Sequence, residues 1–323
     1  MREDFFPDFD WHSVFVLPWT EYGYNSFWIV LMGFLVSGTC GLVGCFVILR
    51  RMALVGDAIS HSLLPGITLA FLLTNSRDTL PMMIGAIIAG IVTVALIEAI
   101  RHSSRIKPDA AIGIVFSSLF AVGVILISVF ADKIDLDADC VLYGELGFIP
   151  LQDVVLFGGL EIGPEPVVRM AVIALIAIVL LCAFFKEMLV TSFDSGLAAS
   201  LGINPTRYQY GLTLFLSIVI VSSFESVGVV LVIAMIIFPG ATSMLLTDSL
   251  PKALWLSTVF SALYATLGFH LATWLNASIA GGMTVIAGLL FGLVWAVAPQ
   301  RGLLPQLVKR MPNRNRIEKV SNP

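Results

Sequence analysis

Residues 52–66 read MALVGDAISHSLLPG and place a carboxylate, Asp57, four residues before an imidazole, His61. On a helix, side chains four apart lie on one face. A carboxylate and an imidazole are suitable donors for manganese, zinc or iron in the divalent state. The surrounding residues are apolar, and an ionisable side chain inside a membrane is costly enough to point to function. Counted from Arg51 the two lie 6 and 10 residues in, roughly 9–15 Å deep at the helical rise per residue. That depth is near a bilayer midplane, where a translocated ion would pause. Pro65 and Gly66 follow one turn later and are expected to break the helix, as happens around transport sites. The alternatives to a transient metal site are a hydrogen-bonded tie between helices and a step in a proton relay.

Glu225, in the stretch SSFESVGVVLV, is a third candidate. It would complete the site, guide cations at its mouth, or sit at a turn between two short spans. His270 stands alone, which fits a packing residue. Glu98 lies one turn before Arg101 and His102, the spacing of a surface ion pair. No GxxxxGK[ST] phosphate loop and no HExxH, GxSxG or CxxC pattern occurs in the 323 residues. The chain is therefore not expected to hydrolyse ATP or to be an enzyme. Cys40, Cys45, Cys140 and Cys182 have no metal-ligand spacing.

The elements that hold these residues are membrane helices. Only 12% of the residues are charged and 58% are hydrophobic, against about 25% charged in a soluble domain. Apolar runs of spanning length fall at about 26–49, 52–73, 81–100, 110–130, 166–185, 208–224, 227–246, 253–275 and 279–298. The fold class is an all-α polytopic bundle of about nine transmembrane helices, or eight if the short sixth and seventh are one. With residues 50–51 in the cytoplasm, 14 of the 18 Lys and Arg fall on that side. The N-terminus is then outside and the C-terminus inside, in a bacterial inner membrane. Glycines at 33, 38, 41 and 44, and the pair Gly288 and Gly292, suit close helix packing.

Residues 1–25 are acidic and aromatic, with no signal-peptide pattern, and read as an external interfacial segment. Residues 26–300 form the transmembrane domain. Its external loop, 131–165, is rich in Asp and Glu and would concentrate cations or dock a basic partner. Its cytoplasmic segment, 186–207, holds a short helix capped at Asp194 and stopped by Gly202 and Pro205. Residues 301–323 form a basic cytoplasmic tail.

Gly56, Asp57, Ala58, Ser60, His61, Leu64, Pro65 and Gly66 match a GDAxSHxxLPG pattern, which resembles the permease subunits of manganese, zinc and iron ABC importers. Residues 135–148, 185–203, 227–247 and 297–304 are similar to further parts of that family, so the resemblance covers about 26–305. It implies a fold related to the cobalamin-type importer permeases. It implies two permease chains, identical or related, working with two cytoplasmic ATP-binding subunits and an external metal-binding protein. Asp57 and His61 would face the transported Mn2+, Zn2+ or Fe2+, with manganese favoured. No cofactor would be permanently bound, and ATP would be used on the partner. Phe193, Asp194, Ala198, Ser200, Leu201 and Gly202 would couple the bundle to the ATPase. Glu225 has no clear counterpart in the family. A self-contained secondary metal transporter or channel is the alternative, and nucleic acid is not an expected partner.

Overall fold

A computed structural model describes residues 7–52, 54–75, 79–103, 105–130, 146–157, 160–298 and 302–303. A π-helical turn, His12–Val16, leads into α1, Leu17–Thr20. The long helices follow as α2 (Gly23–Leu49), α3 (Leu54–Thr74), α4 (Thr79–Ser103), α5 (Pro108–Val129) and α6 (Glu165–Ala183). Two short helices, α7 (Phe185–Phe193) and α8 (Ser195–Ser200), precede α9 (Pro205–Leu246), α10 (Leu250–Leu275) and α11 (Ile279–Val297). Among the described residues seven of these helices are long and apolar enough to cross a membrane. The fold is thus the helical membrane bundle that the apolar runs predict.

The bundle is organised around α2. Of its most apolar stretch 72% is buried, against 22–28% for α4, α5, α6 and α11. Glycine explains why α2 can be central. A β-carbon on Gly44 would fall onto the Ile236 carbonyl of α9, and one on Gly33 would meet the Met283 side chain of α11. Gly41 faces Pro239 and Ser257. Removing the side chain lets backbones touch, and that contact holds helices together in lipid. Gly38 has only Phe34 of its own helix nearby, and Gly292 has nothing within 4 Å. The last helix's Gly288/Gly292 pair therefore makes no internal close contact. Gly268 and Gly282, where α10 meets α11, do.

The 42-residue α9 is broken at Gly228, whose φ of 76° and ψ of 166° are not helical. Side-chain atoms of Ile220 and Ile236 both lie within 4.0 Å of where a β-carbon on Gly56 would stand. A straight helix would separate those two residues by roughly 24 Å, so the chain turns back at Gly228. The two arms are the short sixth and seventh apolar runs of the sequence. Only glycine tolerates that backbone geometry readily. Gly228→Val should destabilise the protein by about 1–3 kcal/mol, seen as a lower melting temperature of the purified chain in detergent.

The segment between α5 and α6 adds β-structure that the all-helical expectation lacks. A 3-10 helix, Leu146–Leu151, precedes two antiparallel strands, β1 (Val154–Phe157) and β2 (Leu160–Pro164). Gly158 and Gly159 lie between the two strands, and VVLF–GG–LEIG is the pattern of a tight hairpin. Gly163, with φ of 150°, leaves room for the Trp28 indole of α2. The acidic residues Asp132, Asp135, Asp137, Asp139 and Glu145 lie outside the described residues. So do Arg301 and the basic tail from residue 304 onward.

The N-terminal segment is strapped to α10. Trp19 Nε1 donates to His270 Nε2 at 3.4 Å, and His270 Nδ1 lies 2.9 Å from the Val14 carbonyl. Since Nε2 accepts, Nδ1 carries the hydrogen and donates. His270 is thus a satisfied packing residue, with Phe15 and Phe269 rings against it.

Candidate metal site and the surfaces around it

Asp57 stands in the first turn of α3 and His61 one turn on. His61 Nε2 is 3.5 Å from Asp57 Oδ1. Both side chains are partly open, 41% exposed for Asp57 and 32% for His61, so an ion could reach them. Two rings of α5 bracket the imidazole. Phe116 and Phe120 have their centroids 5.3 and 5.9 Å from that of His61. They limit how the imidazole can turn, which keeps Nε2 toward Asp57. Replacing Phe120 by Ala should loosen that orientation. If the pair holds a divalent ion, the expected result is about two- to tenfold weaker binding of that ion, the worth of an aromatic contact, measured by titration calorimetry.

Helix α3 is unbroken through Pro65 and Gly66, which corrects the expected break. Proline removes one hydrogen bond and here the helix absorbs the loss. The lost bond is the one that residue 65 would have donated to the carbonyl of His61. That carbonyl is left without its helical donor. Gly66 serves packing: a β-carbon there would strike the backbone of Gly85 in α4. Pro65 itself lies against Gly123 of α5. The true helix break near this region is Gly228 of α9.

Glu225 lies in the first arm of α9, three residues before that break. Ser62 and Thr93 share a hydrogen bond of 2.7 Å, and Gly66 meets Gly85, so α3 and α4 are antiparallel. Gly90 meets Ser217 and Gln209 Nε2 donates to Glu98 Oε1 at 2.6 Å, so α4 and the first arm are antiparallel too. The first arm therefore runs with α3. Ile220 packs at Gly56, and Glu225 lies five residues further along that shared direction. Among the described residues no group of three or more His, Cys, Asp or Glu side chains is placed to hold a metal ion.

At the end of the bundle that carries Arg50, Glu98 is buried and also pairs with Arg101 at 2.6 Å. Here α7 and α8 project. Asp194 Oδ1 accepts from the backbone N–H groups of Gly196 and Leu197, each at 2.9 Å, capping α8 as its sequence predicts. Gly202, with φ of 78°, ends it. Ala198 is buried and Ser200 is exposed. Phe193, Leu197 and Leu201 are 64%, 50% and 61% exposed; Leu197 and Leu201, four apart, share one side of α8, and Phe193 closes α7 just before the extended Asp194. This apolar stripe includes Leu197, which the sequence reading passed over.

A family profile described as the ABC 3 transport family matches residues 24–298. The chain belongs to the ABC 3 transport family. It is 42% identical over 284 residues to the manganese transport system membrane protein MntD of Bacillus subtilis, covering 88% of this chain and 96% of that protein. It is also 42% identical over 276 residues to the zinc transport system membrane protein TroD of Treponema pallidum, covering 85% of this chain and 75% of that one. Among solved structures it resembles PsaBC from Streptococcus pneumoniae in complex with Fab. The TM-score is 0.70 at 33% identity, over 87% of this chain and 93% of the other. This ABC 3 transport family chain is accordingly a membrane transport protein and not an enzyme.

Proposed function

We propose that the chain is the membrane-spanning subunit of an ATP-driven importer of a divalent transition-metal ion, with manganese as the favoured cargo over zinc and iron. The observation that carries this reading is the half-open Asp57–His61 pair, 3.5 Å apart on one helix face, in a family that transports. Manganese and zinc appear in the names of relatives at 42% identity, which supports the class of cargo. A carboxylate and an imidazole provide one oxygen and one nitrogen donor, fewer than any of these ions takes. The freed His61 carbonyl, Glu225 and the same pair on a second permease chain are the sources of the remainder. Oxygen from the carbonyl and from Glu225 would favour manganese.

In this reading the N-terminal aromatic segment is external and Arg50 and the tail are cytoplasmic. Residues 26–300 form one permease domain. An external metal-binding protein delivers the ion, and Asp57 and His61 hold it briefly. Two ATP-binding subunits dock on α7 and α8 and reverse the accessible side. The exposed Phe193–Leu197–Leu201 stripe supports a docked partner and argues against a self-contained carrier or channel. Asp194 and Gly202 would fix the shape of that docking segment, and Ala198 its seating on the bundle.

The test is cellular metal content by mass spectrometry. Cells would express the chain with its ATPase and binding protein, or with an ATPase unable to hydrolyse ATP. Accumulation of one metal only with the active ATPase supports the reading and names the ion. Equal accumulation with the inactive ATPase would favour the channel or secondary carrier.

A further inference from the structure

We propose that Arg50 is the positioning residue that carries movement of the α7–α8 segment to the helix bearing Asp57 and His61. The proposal rests on the reading above, in which α7–α8 docks the ATPase and the Asp57–His61 pair holds the ion. Arg50 sits half-buried at the end of α2. Its Nε donates to Ser192 Oγ at 3.0 Å and its Nη2 to Thr191 Oγ1 at 2.8 Å. Each hydroxyl spends its own hydrogen on α7. Thr191 Oγ1 donates to the Glu187 carbonyl at 2.8 Å and Ser192 Oγ to the Met188 carbonyl at 2.6 Å. Their lone pairs are thus free to accept from a cation, and the fork of a guanidinium reaches both at once.

The other side of Arg50 is equally fixed. Arg51 has φ of 56°, its N–H bonds to the Ile48 carbonyl at 2.9 Å, and the Met52 N–H bonds to the Val47 carbonyl at 3.0 Å. This tight reversal leads into α3 at Leu54, and Asp57 follows in its first turn. Asp57 is seven residues from Arg50. Phe193, Asp194 and α8 follow directly after Ser192 on the far side. A shift of the docking segment therefore pulls on Arg50, and Arg50 pulls on the start of α3. Two opposed helices joined by a charged double hydrogen bond move as a pair, whereas an apolar contact would let them slide.

The test uses the chain with its ATPase and metal-binding protein in proteoliposomes, with ATP hydrolysis and Mn2+ uptake measured on the same vesicles. Thr191→Val with Ser192→Ala removes both acceptors with little change of shape. Arg50→Ala removes the donor. Each should leave hydrolysis within about twofold of wild type, while Mn2+ taken up per ATP falls roughly tenfold, the size expected for losing hydrogen bonds to a charged group. Combining the changes should cost no more than either alone, since they remove one contact. Arg50→Lys should recover part of the ratio, because an ammonium can reach one hydroxyl at a time. Mn2+ binding without ATP should persist in all of them, showing that the site still folds. An unchanged ratio in the hydroxyl variant would overturn the proposal. Hydrolysis falling in step with uptake would overturn it too, since the contact would then only support docking. A wild-type complex with no ATP-driven Mn2+ uptake would instead sink the underlying reading.

Discussion

Cells carrying Asp57→Asn or His61→Ala should accumulate manganese no faster than cells lacking the transporter, while the variant proteins should still reach the membrane. The argument has two halves. Losing a group that merely supports a metal ligand costs about 10–100-fold in affinity or activity, so losing a direct donor should cost at least as much. Asp57→Asn keeps the shape and removes the charge, leaving a poor ligand for a divalent cation. The fold, by contrast, has little stake in the pair. Both groups are about one-third or more exposed, and such ion pairs contribute only about 0–1 kcal/mol. Uptake and folding should therefore separate, with mass spectrometry reporting the first and membrane immunoblots the second. Variants that accumulate metal as wild type does would make Asp57 and His61 structural. The pathway would then have to be sought around Glu225 and the acidic segment 131–165.

The second large effect concerns packing. Gly44→Ala should abolish the folded protein or lower its stability by at least about 1–3 kcal/mol, the usual cost of overpacking. The new methyl would have to occupy the position of the Ile236 carbonyl. A backbone atom of a broken helix cannot swing aside as a side-chain tip can. Gly292→Ala provides the contrast. Nothing lies within 4 Å of its would-be β-carbon, and a helical alanine is favoured over glycine by roughly 0.5–1 kcal/mol. It should melt at or slightly above the wild-type temperature. A thermal scan of the purified proteins in detergent gives both answers, and similar melting of the two variants would refute the packing account.

How far the sequence could be read followed from how local each signal was. The apolar runs, the Asp57–His61 spacing and the Asp194 cap each involve only a few consecutive residues and were legible. The glycines of α2 were visible as a stripe, but not which of them touch another helix, because contact with Ile236 or Met283 joins residues far apart in sequence. The Gly288/Gly292 pair shows the other side of this, a motif without an internal partner. Phe116 and Phe120 were hidden inside an apolar run where every residue looks like a lipid-facing one. Pro65 misled because proline often ends helices. Here its neighbour Gly66 lets α4 press close at Gly85, and the helix stays whole. The hairpin Val154–Phe157/Leu160–Pro164 did carry a signal, its central Gly158–Gly159, which the prevailing helical pattern overshadowed.

The strap between the first segment and α10 orders events during synthesis. Trp19 is bonded to His270, 251 positions later in the chain. Val14 lies 256 positions from the same imidazole. A ribosome makes the aromatic segment first and its anchor almost last. Until α10 has left the ribosome and entered the bilayer, that segment lacks its His270 anchor and is tied near Pro18, whose carbonyl accepts from Ser26 Oγ of α2. It docks near the end of assembly, so its protection from an added protease marks a chain whose later helices are in place.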